Sequence, residues 1–576
     1  MKRLNRFFFL LAGIAALVSC EALELDDLLD NPNALRPDQI SLSDGLNGVQ
    51  LAANALFGGA SGFGETATRH RAMFGTTYEN AYAPGTGAGV WNNAYATILL
   101  DSSQLLERAT EAGQLEVEGV TRILRAYTLM VLVDHWGDVP FTEAFQGVGN
   151  FSPAVTPGAE VYAAALEELN LAIAALDASD GEEFEGGNVT NFFFSNRSTG
   201  AELKESWTRL ANSLKYKYYL NLGDVAGMNA AVSDGVIEDI NDSFAFQYGT
   251  VNDPESRHPL YVGNYGDENP DGYMNVDFMF QMVNFRQLNE PATPGTAQGL
   301  IDPRANFYFY RQTDEFPGVA DNPSIGDALP CFDDPNPYPA QFGFCSFGEG
   351  FWGRDHGNSD GIPPDGNLRT VYGVYPAGGD ANESETDITN SGTRAQSFGA
   401  ISDEDGLNGE GVNPIMPHFM MYMLRAEGAL VYGTNDDAET MLRTAVAGSF
   451  DYVYQVAQID STLDPDGAGI AISRDEQADN YVDYVFDELY SGNELRTLGQ
   501  QMWFASFGNG YEMYNFYRRN GEAAIMLQPH LLGAGAGPFP RSLFYITNTA
   551  DLNLSIDQKP SLTQNVFWDN NGSIVQ

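Results

Sequence analysis

Cys20 has the best-defined chemistry in this chain. A basic start at residues 2–6 precedes an apolar run at 7–18, whose 12 residues are too few to span a bilayer as a mature helix. Leu17-Val18-Ser19-Cys20 then has the pattern of a lipobox, in which small residues admit the processing enzyme and the thiol takes the lipid. The sequence therefore predicts removal of residues 1–19 and a lipid anchor on Cys20.

The alternative is an ordinary secretory signal that happens to contain a cysteine. With two or three acyl chains such as palmitate, each buried CH₂ contributes roughly 0.8 kcal/mol, so the anchor would be nearly permanent. Residues 20–37 are acidic and weakly periodic, which predicts an extended spacer between the lipid and the folded body.

The chain has only two other cysteines, Cys331 and Cys345. In an oxidising compartment beyond the inner membrane, an even pair at this spacing is expected to form a disulfide across a Pro/Phe-rich loop. Two buried free thiols are the alternative.

The charge balance excludes one class of partner. Lys and Arg total 29 against 78 acidic residues, and the formal net charge is −49. Such a surface repels phosphate backbones, so nucleic acid is not an expected partner. It also disfavours close contact with anionic lipid, so the lipid tether is expected to hold the protein at the membrane.

The patterns of known catalytic and metal sites are missing from the sequence. None of the six histidines has the spacing of a zinc site, and no Gly-x-Ser-x-Gly segment is present. With 78 acids, a carboxylate pair for glycoside hydrolysis can always be found by chance, so none is singled out. Residues 403–406 and 464–467 are fragments of a calcium loop. Turn formation is the main interpretation of both, with a structural Ca²⁺ as the alternative; otherwise no cofactor is expected.

Hydrophobic periodicity at i+3 and i+4 predicts several helices. The clearest one has Thr156 as N-cap and Pro157 at N1. Ser43 or Asp44 is the expected cap of the first helix. The predicted helices are 91–112, one from 115 to about 136, 157–176, 201–222, a hairpin at 417–432 and beyond, and helical runs within 473–508.

Two segments are predicted to be loops. Residues 58–90 are rich in Gly, Ala, Thr and Tyr, and residues 236–415 are rich in Gly, Pro, Asp, Asn and aromatics. The predicted fold class is mainly α, with TPR-like helical hairpins in one half and a loop-rich irregular half inserted. The domain from 38 to 576 divides into helical pairs at 38–235, a ligand-side insertion at 236–415, and helical pairs with a tail at 416–576.

Seven short segments occur in order along the mature chain. They are Arg125–Phe141 with its Gly137-Asp-Val-Pro140, Ile301–Arg304, Trp352–Gly357, Gly373–Gly379, Pro414–Glu427, Arg518–Gly521 and Pro540-Arg541. Five of them together resemble the signature of SusD/RagB-like outer-membrane nutrient-binding lipoproteins, and Trp352–Gly357 and Gly373–Gly379 resemble one SusD-like subgroup. Asn520 departs from the usual Thr, and an acid often found beyond Tyr545 is missing, which puts the subgroup in doubt.

The resemblance implies four TPR-like helix pairs backing an irregular ligand-binding half. It also implies a partner, a SusC-like TonB-dependent β-barrel in the outer membrane, for which the lipoprotein acts as a lid facing the cell exterior. Glycans are the common ligands of the family, and peptides also occur. Gly137–Pro140, Arg125 and Glu427 are expected to have structural roles.

Ligand capture without catalysis needs aromatic rings for sugar faces and amide groups for hydroxyls. The candidates on the predicted loops are Tyr78, Tyr82, Trp352 and Asn80, with Trp91 at a loop–helix junction as a weaker one. The alternative for each aromatic is packing beneath its own loop. A surface adhesin and a glycan hydrolase remain as alternative functions.

Overall fold

The computed structural model describes residues 40–185, 189–266, 272–284, 301–312, 350–354, 356–357, 369–380, 406–458, 473–525, 527 and 537–572. Five predicted features lie outside these ranges: the signal, Cys20 with its spacer, the Cys331–Cys345 pair, and both calcium-loop fragments. No helix within the described ranges is long and apolar enough to cross a membrane.

Helices dominate the described residues. Three π-helical segments adjoin α-helices directly, at Asn93–Leu99, Gly428–Tyr432 and Val485–Tyr490. The α-helices are α1 Leu42–Ala67, α2 Tyr78–Ala81, α3 Ala88–Asn92, α4 Leu100–Ala112, α5 Leu115–Trp136, α6 Gly158–Ala178, α7 Glu182–Glu185, α8 Gly200–Leu222, α9 Val225–Asp234, α10 Pro259–Tyr265, α11 Val276–Asn284, α12 Ala305–Tyr308, α13 Val374–Ala377, α14 His418–Glu427, α15 Ala438–Val456, α16 Arg474–Tyr484, α17 Glu494–Ala505, α18 Gly510–Asn520 and α19 Thr547–Leu552.

The strands are short. β2 pairs with β3, β4 with β7 and β5 with β6, all antiparallel, and each pair forms a two-stranded sheet. The strands are β1 Pro84–Gly87, β2 Val139–Pro140, β3 Val155–Thr156, β4 Phe244–Gln247, β5 Phe309–Tyr310, β6 Val371–Tyr372 and β7 Val412–Met416.

Helices that follow one another along the chain pack side by side. α4 packs on α5, α5 on α6, α8 on α9, and α14 on α15, while α1 packs on the distant α18. One continuous apolar core runs through these pairs. The predicted mainly α fold of helical hairpins is confirmed.

Part of the predicted loop at 58–90 is helical, because α1 extends to Ala67. The glycines of this segment favoured a loop, but Gly64 lies where α1 crosses the start of α18. A Cβ on Gly64 would overlap the carbonyl group of Gly510. Glycine there serves close helix packing, which a single sequence cannot distinguish from a flexible loop.

The caps of two helices differ from the prediction. Ser41 caps α1, since its hydroxyl accepts the Asp44 N–H at 3.0 Å. α6 begins at Gly158, one residue later than expected, and Thr156 belongs to β3. The Gly158 N–H donates instead to Asp138 Oδ1 at 2.8 Å. Asp138 of the Gly-Asp-Val-Pro segment therefore ties the end of α5 to the start of α6.

The expected structural roles of Arg125 and Glu427 are confirmed. Arg125 Nε lies 3.1 Å from Glu168 on α6. Glu427 accepts two hydrogen bonds from the Arg519 guanidinium, both at 2.7 Å, across α14 and α18. Both ion pairs join neighbouring helices.

A buried acid organises the centre of the helical half. Asp134 on α5 accepts the Tyr511 hydroxyl at 2.6 Å, the Asn515 amide at 2.9 Å and the Trp568 indole N–H at 2.9 Å. The Tyr162 hydroxyl donates to the same carboxylate. Three elements, α6, α18 and the tail, are thus held to α5 by one side chain that is fully shielded from water.

Candidate functional site

Four distant segments meet beyond the C-terminal end of α1. We call residues 69–82, 272–275, 350–357 without 355, and 369–372 the loop cluster. Backbone hydrogen bonds join it: Ala72 N–H to Tyr273 O at 2.9 Å, Arg354 N–H to Met274 O at 3.0 Å, and Thr370 N–H to Trp352 O at 2.9 Å. Backbone hydrogen bonds therefore hold the cluster together, although its segments come from positions between residues 69 and 372 of the chain.

Glu65 on α1 fastens this cluster to the helical half. Its carboxylate accepts the Tyr372 hydroxyl at 2.8 Å and the Gly508 N–H at 2.9 Å. Burial raises the pKa of Glu65, and the charge of Arg71 opposes that rise. The carboxyl group thus holds three segments together beneath the surface.

The cluster carries stacked arginine and aromatic side chains. The Arg354 and Arg369 guanidinium carbons lie 4.2 and 4.1 Å from the centre of the Tyr273 ring. Phe74 packs beside Tyr273 with ring centres 5.9 Å apart, yet 52% of Phe74 is exposed. An exposed ring supported by a rigid layer can receive the apolar face of a ligand.

Tyr78 and His356 meet in the floor of the cluster. Their hydroxyl and Nε2 are 3.0 Å apart, and both side chains are buried. Burial lowers the pKa of His356 well below its usual value, and the neighbouring positive charge of Arg69 adds to this effect. The imidazole is therefore neutral at physiological pH and works as a hydrogen-bonding group.

The structure brings Tyr78, Asn80, Tyr82 and Trp352 into or next to this one cluster. Tyr78 and Tyr82 stack with ring centres 5.9 Å apart, and the Tyr82 hydroxyl donates to Thr66 Oγ1 at 2.8 Å. The three aromatic side chains are at most 6% exposed, so a ligand touches them only at their edges or after they move.

Asn80 is exposed, and its side chain completes the cap of α2. Asn80 Oδ1 accepts the Thr77 N–H at 2.9 Å, and Asn80 Nδ2 donates to Thr76 Oγ1 at 3.0 Å. This arrangement presents the amide at the surface in a fixed orientation.

Trp91 lies away from the other four. Its ring packs on Trp136 with centres 5.1 Å apart and on Tyr95 at 4.7 Å. Its neighbours belong to α5 and the tail rather than to the loop cluster, so the structure does not bring Trp91 together with the other candidates.

A separate cleft of about 290 Å³ opens between β4, β7 and the end of α15. Amide and hydroxyl side chains line much of it, among them Asn196, Asn241, Gln247, Gln455 and Tyr452. Such a lining suits hydroxylated ligands, and Glu410 adds a carboxylate that disfavours anions. The described lining residues include no Lys, Arg or exposed aromatic ring.

Within the described ranges, no group of three His, Cys, Asp or Glu side chains is placed to hold a metal ion. Burial lowers the pKa values of His70 and His258 to about 4. His70 bonds to Trp503 O and Thr68 Oγ1, and His258 bonds to Asn413 Oδ1 and accepts the Leu260 N–H. These two histidines hold the fold together.

The sequence patterns did not single out four residues of the cluster as ligand-site candidates: Arg69, Phe74, Tyr273 and Arg354. The only available signal was the concentration of bases and aromatics in segments otherwise rich in Gly and Thr. Their proximity depends on backbone pairing between segments such as Arg71 with Met274, which no local pattern predicts.

Comparison with known proteins gives a family match for part of the chain. Residues 60–315 match the family model SusD-like_2, described as "Starch-binding associating with outer membrane". A search of curated proteins gave no match.

Solved structures match over almost the whole chain. A SusD/RagB family protein from Bacteroides thetaiotaomicron superposes with a TM-score of 0.63 at 16% identity, covering 92% of this chain and 99% of that one. A chitin-binding SusD homologue from Flavobacterium johnsoniae gives 0.57 at 17% identity, covering 92% and 99%. Another chitin-binding protein gives 0.62 at 15% identity, covering 92% and 100%.

At these identities the structural likeness establishes the fold, a helical scaffold with an irregular loop-rich half. The family model supplies the sequence evidence, and its matched range includes the first two segments of the loop cluster. The chain thus matches a SusD-like family model over residues 60–315 and has the fold of SusD/RagB family proteins.

Proposed function

We propose that this protein is a cell-surface nutrient-binding lipoprotein. It captures a glycan or oligosaccharide, with a peptide as the alternative ligand. It then passes the ligand to a SusC-like TonB-dependent transporter, for which it serves as the lid. The match of residues 60–315 to a family described as starch-binding and associated with the outer membrane carries the proposal. The chitin-binding structural neighbours add support for a carbohydrate ligand.

The loop cluster is the proposed ligand site. Phe74 supplies an exposed ring, Asn80 an oriented amide, and Tyr78, Tyr82 and Trp352 the layer beneath them. Trp91 stays a weaker candidate, because its contacts are with Trp136 and Tyr95. No catalytic step is proposed, since capture and delivery need only binding.

The lipid on Cys20 and the acidic spacer at 20–37 complete the proposal. They would let a large body swing at the membrane surface without inserting, as a hinged lid must. The strongly negative surface would keep the body away from anionic headgroups. Cys331 and Cys345 are proposed to form a disulfide.

Ligand binding is tested with a glycan and peptide array on the purified protein. Phe74→Ala should weaken binding of the ligand by about tenfold, since ring–ligand contacts contribute roughly 1–2 kcal/mol. Leu554→Ala is the matched control, because Leu554 is 93% exposed and lies in the tail. Unchanged binding by Phe74→Ala, Asn80→Ala and Trp352→Ala together would sink the proposed site.

Partnership with a barrel is tested separately. The protein and its Cys20→Ser variant are isolated from detergent-solubilised outer membranes. We expect a large β-barrel protein to co-purify with the lipidated form. Absence of any barrel, with the lipoprotein itself recovered intact, would favour an adhesin or structural role. Turnover of a polysaccharide by the pure protein would favour a hydrolase.

A further inference from the structure

Arg69 is a buried cation without a counter-charge. It follows α1 directly, has a left-handed backbone with φ of 68°, and is only 5% exposed. Its Nε and Nη1 atoms have no hydrogen-bond partner. No carboxylate among the described residues forms an ion pair with it. An unpaired buried charge costs free energy, so it needs a compensating group from outside the protein.

Other strongly buried arginines of this chain are paired. Arg304 bonds to Asp302 through Nη2 at 2.6 Å, and Arg519 bonds to Glu427 at 2.7 Å. Arg541 pairs with Asp569. The chain has 78 acidic residues, so acids are not scarce. Arg518, which is fully buried, has no ion pair either, but its Nη1 donates to two backbone carbonyls and its Nη2 to Asn515 Oδ1, whereas Nε and Nη1 of Arg69 have no acceptor.

The surroundings of Arg69 are neutral and able to form hydrogen bonds. Its charge acts on the His356 imidazole and on the Tyr517 phenol, and the His356 Nε2 bonds to the Tyr78 hydroxyl. The Phe539 ring closes the group, with its centre 4.8 Å from that of Tyr517 and 5.9 Å from that of Tyr78.

Three further charges surround this group. Arg541 is neutralised by Asp569. Glu522 acts on Tyr517 but forms no ion pair with Arg69 among the described contacts. Arg71, half-buried two residues further along, adds positive charge. Among the residues that the structure describes, the charge around the guanidinium is thus positive, in a chain that is strongly negative overall.

Resting on the proposed function above, we propose that Arg69 recognises an acidic group, a carboxylate or a sulfate ester, on a sugar of the captured oligosaccharide. Nε and Nη1 are enclosed without a hydrogen-bond partner, which leaves Nη2 as the nitrogen through which an acidic oxygen would make contact. A carboxylate or sulfate oxygen at Nη2 would form a charge-assisted hydrogen bond with the guanidinium. The Tyr78 hydroxyl and the His356 imidazole can bond to neighbouring hydroxyl groups.

The overall charge limits the kind of acidic ligand. A net charge of −49 repels a densely charged polymer at long range, with a screening length of about 10 Å at 0.1 M salt. The fitting ligand is therefore a mostly neutral oligosaccharide with an isolated acidic sugar. Added salt should screen the repulsion more than the buried contact, so the preference for the acid should survive at high salt.

The test uses matched pairs of tetrasaccharides. Xylose, mannose and glucose backbones each carry one glucuronate, and each is compared with its carboxyl-reduced form by calorimetry on the purified protein. A third arm carries one sulfate ester in place of the glucuronate, which separates the two acidic groups. At least one acidic arm should bind about tenfold more tightly than its neutral counterpart, a typical effect of one charge-assisted hydrogen bond.

Arg69→Met should abolish this preference and leave binding of the neutral form unchanged, while Arg69→Lys should keep part of it. Arg443→Met is the charge-matched control, because Arg443 pairs with Asp483 on the surface, and it should keep the full preference. Equal binding of acidic and neutral forms, no binding of any acidic arm, or a preference that persists in Arg69→Met overturns the inference.

These outcomes are separate from those of the proposed function. Neutral glycan binding with barrel co-purification but no acid preference would leave the function standing and refute the role of Arg69. An acid preference without a barrel partner would support the role of Arg69 and refute the proposed partnership with a transporter. Binding only of peptides with free carboxylates would also refute the inference.

Discussion

The helical half and the loop cluster treat buried charge in opposite ways. In the helical half, Asp134 is met by four donors, and Lys217 and Glu512 pair with each other while fully enclosed. In the loop cluster, Arg69 is equally shielded from water but has no acid beside it.

The difference separates two uses of a buried polar group. A charge that is satisfied within the protein fixes the geometry of the helices around it. A charge left without a partner lowers the stability of the protein. A ligand that pairs with this charge removes that cost when it binds. The scaffold of this protein is therefore expected to be insensitive to ligand, and the loop cluster to be stabilised by it.

The largest expected effect comes from exchanging two buried arginines for methionine. Arg304→Met leaves Asp302 buried and unpaired, which should lower the free energy of unfolding by about 3–5 kcal/mol. Arg69→Met removes an unpaired cation and should change stability little or raise it. Urea unfolding followed by circular dichroism measures both. Equal losses in the two variants would contradict the comparison.

Acid should weaken both regions through their buried histidines. Burial lowers the pKa of His70, His135, His258 and His418 from 6.5 to about 4. The unfolded chain thus binds more protons between pH 6.5 and 4, and stability is lost as the pH falls through that window, by up to about 3 kcal/mol per histidine.

Acids with raised pKa values act in the opposite direction. Burial raises the pKa values of Glu65, Asp101, Glu183 and Asp451, so each contributes stability at low pH that is lost as the pH rises. With His356, five buried histidines have lowered pKa values and outnumber these acids, so the urea midpoint should fall from pH 7 to pH 4.5. A midpoint that is constant over this range would contradict the assignment of neutral buried histidines.

The crossing of α1 and α18 offers a smaller and sharper test. Gly64→Ala places a methyl group against the Gly510 carbonyl and should cost about 1–3 kcal/mol of stability. Gly62→Ala in the same helix has open space around its Cβ and should stabilise by about 0.5–1 kcal/mol. Thermal unfolding of both variants compares them, and equal shifts would refute the close crossing.

The smallest effect is expected at the start of α6. Asp138→Ala removes the acceptor of the Gly158 N–H and should cost about 1 kcal/mol. The nearby Lys559, whose pKa burial lowers to about 7, also loses a favourable charge, so the loss should exceed that in Ser473→Ala, which removes the cap of α16. A smaller loss at Asp138 would show that it is not the cap.

Much of the helical half was predictable from local patterns. The stripes of apolar residues placed α5, α6, α8 and α14 with its π-helical extension to within a few residues. The lipobox and the order of the short family segments predicted a lipid-anchored binding protein, and the fold and the family-model match over residues 60–315 agree with the resemblance. Caps were less predictable, because the acceptor at the start of α6 comes from 20 residues upstream.

The sequence alone determined the class of the protein, since helix periodicity, charge balance and short motifs are local properties. It could not decide which residues form the site. Only the tertiary structure decided that Gly64 is a packing position, that Trp91 lies apart from the other aromatics, and that Arg69 is buried without a counter-charge. Each of these depends on contacts between segments hundreds of residues apart, and single-sequence patterns carry no information on such contacts.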